Sequence, residues 1–86
     1  MWKENRKSLS RSFDFNNFIE AFAFVNKVGL IASNREHYPK ICIEKNTVDV
    51  KLSTEKIGGF VTQKDHEMAM EIESAYGNKE VLKKSA

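Results

Sequence analysis

The first ordered pattern in the chain is "LSRSFDF", where Leu9, Arg11, Phe13 and Phe15 alternate with Ser10, Ser12 and Asp14. A period of two over such a run predicts a strand with one face buried. Arg11 is the one polar residue on the apolar face. The preceding "MWKENRKS" has no period and reads as loose. From Phe18 the period changes. Phe18, Phe22, Val25, Val28 and Ala32 recur at three- and four-residue steps, with Ala21 and Gly29 beside them. This spacing predicts an amphipathic helix over Phe18 to Ala32. Asn16 and Asn17 suit its cap. Pro39 stops it, because proline lacks an N–H and disfavours helical angles in the residue before it. Ile19, Phe24, Leu30 and Ile31 widen the apolar stripe, so the helix is expected to pack on a sheet and also on another chain.

Two further alternating runs follow, "ICIEK" and "VDVKL", with Asn46-Thr47 as the turn of a β-hairpin. Gly58-Gly59 marks a loop, and a short strand is expected around Gly59, Phe60 and Val61. Thr62-Gln63-Lys64-Asp65 resembles a capping box with aspartate in the usual place of glutamate. It opens a second helix over Gln63 to Tyr76, with Met68, Ala69, Ile72, Ala75 and Tyr76 inward. Gly77 and Asn78 are its stop signals. The order of elements gives an α+β fold: a small antiparallel sheet covered on one face by helices.

Composition narrows the setting. The 86 residues are 41% hydrophobic and 30% charged, a globular balance for a single domain over residues 1–86. A chain this small buries little more than about 60% of its unfolded surface, so self-association would help it. The run Phe18 to Ala32 is too short and too polar for a membrane span. No signal-peptide pattern is visible, so a cytoplasmic protein is expected. Fourteen basic and 12 acidic residues are well mixed, giving +2, which leaves no electrostatic footprint for direct nucleic-acid binding. The single cysteine, Cys42, permits no internal disulfide and reads as a small buried hydrophobe.

Candidate chemistry is sparse. Neither His37 nor His66 belongs to a set with metal-ligand spacing. Gly58-Gly59 fits neither a phosphate loop nor a dinucleotide fingerprint, and no nucleophile sits in an elbow motif. On position alone His37 partners a helix C-terminus. Tyr38 is a packing residue, Glu55 a solvated loop charge, and Asp65 a cap charge with His66 on the exposed side of the same turn.

Taken together, "FDFNNFIEAFAFVNKVGLIA", "REHYPK", "NTVDVKLST", "GGFVTQKD" and the later "MA" resemble the pterin-4a-carbinolamine dehydratase family from about Leu9 to Tyr76. The resemblance implies a four-stranded antiparallel sheet with about three helices on one face. Dimers would join sheets edge to edge, and tetramers would form through helices. It implies dehydration of 4a-hydroxytetrahydrobiopterin, without metal or cofactor and with a pterin as substrate. Such a reaction asks for an acid at the departing 4a-hydroxyl and a base at N5, tasks that suit histidine. The family motif Glu-x-x-x-His-His-Pro maps onto Ser33, His37, Tyr38 and Pro39. The histidine of its Ser-Thr-His maps onto Glu55, behind Ser53 and Thr54, and its later aspartate onto Asp65. A frequent tryptophan is replaced by Ile41. The implied catalytic positions are therefore His37, Tyr38, Glu55 and Asp65, with Ser33, Glu36, Pro39, Ser53 and Thr54 around the substrate. The substitutions allow two readings: a dehydratase working with altered groups, or an oligomeric binding or scaffold module that has kept the fold.

Overall fold

A computed structural model describes residues 2–54 and 59–85, with the side chains of 78–85 excepted. Its elements are β1 (Lys3–Glu4), β2 (Leu9–Asp14), α1 (Phe18–Arg35), β3 (Lys40–Glu44), β4 (Thr47–Leu52) and α2 (Gln63–Ser85). The strands form one antiparallel sheet in the order β1-β2-β4-β3. Register follows the apolar alternation: Leu9 faces Leu52, Arg11 faces Val50 and Phe13 faces Val48. A slip of one residue would turn all of these outward, so burial fixes the pairing.

Both helices cover the face that carries these residues. Phe13, Phe15, Phe24 and Tyr76 meet as one aromatic cluster, with Phe13 and Phe24 centroids 4.8 Å apart and Phe13 and Tyr76 5.0 Å apart. Arg11 lies among them. Its guanidinium sits 4.4 Å from the Phe13 ring centroid and pairs with Glu73 of α2, so the polar residue on the apolar face is neutralised from the covering helix. Among the described residues no helix is long and apolar enough to cross a membrane.

Several expectations are corrected. Two helices, rather than about three, are present among the described residues. The polar opening is not loose: the Asn5 side chain accepts from the Lys7 and Ser8 amides, and the resulting turn folds Lys3 and Glu4 back onto β2. The buried stripe of α1 is Ala21, Phe24, Val28, Ile31 and Ala32, while Phe18 and Phe22 lie about half exposed. A helix apolar on most sides does not reveal from spacing which side the sheet takes. The hairpin turn is Lys45-Asn46, with Lys45 at φ 55, one residue earlier than expected. The Asn46 side chain donates to the Phe15 carbonyl at 2.6 Å, and that bond sets the turn. Cys42 is exposed, because β3 turns Ile41 and Ile43 inward and Cys42 to the open face beside Asp49. The strand expected around Phe60 is a single bridge to Thr54. Finally, α2 runs through Gly77, which keeps a helical backbone.

Candidate active site

The site begins where α1 ends. Glu36 takes the left-handed conformation (φ 52, ψ 42). The His37 amide then donates to the Ala32 carbonyl at 3.1 Å and the Glu36 amide to that of Ser33 at 3.3 Å. These two bonds form a Schellman motif, which closes the helix three residues before Pro39. The chain therefore reverses at His37 and brings its side chain back over the helix pair, 13% exposed.

The partner comes from the other helix. Asp65 lies in the first turn of α2 and is fully buried. Its Oδ1 is 2.6 Å from His37 Nε2. Its Oδ2 accepts from the Thr54 hydroxyl at 2.8 Å and from the Thr62 amide at 2.9 Å. The last bond is the reach-back half of the capping box. The Thr54 and Thr62 hydroxyls are 2.7 Å apart. Burial pushes the Asp65 carboxyl up. The hydrogen bonds from His37, the Thr62 amide and Thr54, with the charge of His37, outweigh this and hold it below its ordinary value. An ionised carboxylate only accepts, so Nε2 carries the proton in this contact. Nδ1 is the ring nitrogen left for a ligand, and it has no hydrogen-bond partner among the described residues.

The expected site residues divide. His37, Asp65 and Thr54 meet in one buried polar cluster. Pro39 and Ser53 flank it in sequence and are half-buried. Ser33, Glu36 and Tyr38 are exposed, Tyr38 to 72%, and no side-chain bond joins them to the cluster. Glu55 lies outside the described residues, as does Gly58. Thr62 was legible only as a cap, and its contact with Thr54 depends on a loop closure that spacing does not encode. His66 faces away and pairs with Glu4 at 3.5 Å. Among the described residues no group of three or more His, Cys, Asp or Glu side chains could hold a metal ion.

Known proteins share this arrangement of chain. Residues 1–75 match the family described as pterin 4 alpha carbinolamine dehydratase. The chain belongs to the pterin-4a-carbinolamine dehydratase family. Two relatives carry the name "Putative pterin-4-alpha-carbinolamine dehydratase". The one from Sulfolobus acidocaldarius is 41% identical over 71 residues, covering 83% of this chain and 77% of the relative. The one from Bradyrhizobium sp. strain BTAi1 is 47% identical over 70 residues, covering 79% and 70%. In three dimensions this dehydratase-family chain is similar to a transcriptional coactivator/pterin dehydratase from Brucella melitensis. Their TM-score is 0.81 at 32% identity, over 87% of this chain and 81% of the other. A pterin dehydratase-like protein identified as a RuBisCO assembly factor in the alpha-carboxysome shares the fold, with TM-score 0.72 at 15% identity over 90% and 88%.

Proposed function

We propose that the protein dehydrates 4a-hydroxytetrahydrobiopterin to the quinonoid dihydropterin, supporting tetrahydrobiopterin recycling in the cytoplasm. The observation that carries this reading is the buried Asp65 carboxylate 2.6 Å from His37 Nε2. With its Nε2 proton held there, the imidazole has Nδ1 free for proton transfer. In the doubly protonated ring Nδ1–H delivers a proton to the departing hydroxyl while the N5 lone pair forms a C4a–N5 double bond, so the C4a–O bond breaks and water leaves. The N5 proton of the resulting iminium then returns to Nδ1, and the N–H electron pair stays on N5 as its lone pair. The proton count closes on one nitrogen, so one histidine suffices for the cycle. Tyr38 and Glu55 are proposed as auxiliary groups. Ser33, Glu36, Pro39 and Ser53 are proposed as the surroundings of the pterin.

The test is to add the protein to chemically generated 4a-hydroxytetrahydropterin and follow the quinonoid product. Wild type should accelerate its appearance over buffer at micromolar protein. His37→Ala should lower that acceleration by about 10²–10⁴-fold. An unchanged rate in His37→Ala would sink the assignment.

A second reading starts from the oligomer that the exposed apolar side of α1 calls for. Phe18 and Phe22 stack there at 6.1 Å, with Ile19 79% and Leu30 68% exposed. On this reading the domain is an oligomeric scaffold, and titration calorimetry would detect no pterin binding. Under either reading the protein is a homodimer or homotetramer that covers this side.

A further inference from the structure

The buried hydroxyls have a role of their own. Thr54 follows β4, is 6% exposed, and is anchored by backbone bonds to Phe60 (3.0 Å) and Gly59 (3.2 Å). Its single hydroxyl proton is committed to Asp65 Oδ2. The Thr62 hydroxyl lies 3.5 Å from the same Oδ2 against 2.8 Å for Thr54, so the shorter contact takes the Thr54 proton and the 2.7 Å contact between the two is donated by Thr62. The protons therefore run one way, from Thr62 to Thr54 to Asp65 Oδ2, while Oδ1 is left to His37. A carboxylate held by one oxygen through two donors cannot rotate its other oxygen away from the ring without breaking both.

We infer that Thr54 and Thr62 form a directed hydroxyl chain that positions Asp65, and through it keeps the His37 proton on Nε2 and Nδ1 free toward the substrate. This deepens the dehydratase reading and rests on it for its kinetic arm. Neither threonine touches the reacting atoms in this scheme; both are positioning residues. Thr54, which the resemblance alone places at the substrate, acts here from behind the histidine.

The test compares Thr54→Val, which keeps the shape and removes the hydroxyl, with Thr54→Ser, which restores it. Nitrogen-15 NMR of the imidazole reads the tautomer without substrate. Wild type and Thr54→Ser should show the neutral His37 ring protonated on Nε2, and Thr54→Val should show a mixed population. In the assay kcat of Thr54→Val should fall about tenfold, the effect of one charge-assisted hydrogen bond, with KM little changed. If Thr54→Val unfolds, Thr62→Val, which keeps the backbone amide bond to Asp65, supplies the same comparison. An Nε2 proton retained in the valine variants would overturn the inference. A wild type with no dehydratase activity but a tautomer that shifts in Thr54→Val would overturn the proposed reaction and leave the chain standing.

Discussion

Asp65 concentrates the energetics of the site in one carboxylate. Its pKa is depressed, so its stabilising contribution is complete above the unfolded value of about 3.9 and is lost as pH falls from there through the native value. Asp65→Asn should cost roughly 1.5–3 kcal/mol at pH 7, the range for hydrogen bonds to a charged group. The gap between wild type and variant should narrow as pH drops from about 4 toward 2. Urea denaturation at both ends of that range measures it, and a constant gap would mean that folding does not lower the Asp65 pKa. At this scale the sequence was partly legible. His37 and Asp65 stood out through their place in family motifs, but their pairing is a contact between the ends of two helices 28 residues apart. Periodicity describes each helix and is silent about where helix ends meet. Thr54 and Thr62 were visible as residue types, and only the closure of the loop between them makes them partners.

The elements show which local rules decide. Glu36 holds a left-handed cap that glycine adopts without steric cost, so Glu36→Gly should stabilise by about 1 kcal/mol and raise Tm by about 4–8 °C. Gly77 presents the opposite case. It is helical, and nothing lies within 4 Å of an added Cβ, so Gly77→Ala should stabilise by about 0.5–1 kcal/mol in thermal unfolding. A loss would place Gly77 outside the helix, where stop-signal reasoning had put it. The strands β2 and β4 were plain in the sequence because each has one dry face, and alternation records that directly. The two residues of β1 are too few to show a period, and their pairing comes from the Asn5 turn rather than from apolar content. The buried side of α1 was hidden by a surplus of apolar positions.

Across the whole molecule the two faces of the sheet are chemically unlike. The covered face is apolar with one neutralised arginine. On the open face Lys3, Ser10, Lys51 and Lys40 fall in one register row across all four strands. The order strand, helix, hairpin, helix was readable from the chain, and with it the family; the share of α1 left uncovered was not. Phe22→Glu places a charge in the centre of that uncovered side. Light scattering should give a dimer or tetramer for wild type and a smaller species for the variant, with the circular dichroism of the monomer fold retained. A monomeric wild type would leave Phe18, Ile19, Phe22 and Leu30 exposed together and count against self-association. The exposed position of Cys42, the single cysteine, on the edge strand β3 has a practical consequence. One thiol-reactive dye attaches at one known place without any substitution. Its emission and its protection from quencher then report, in the native sequence, whether that sheet edge joins another copy.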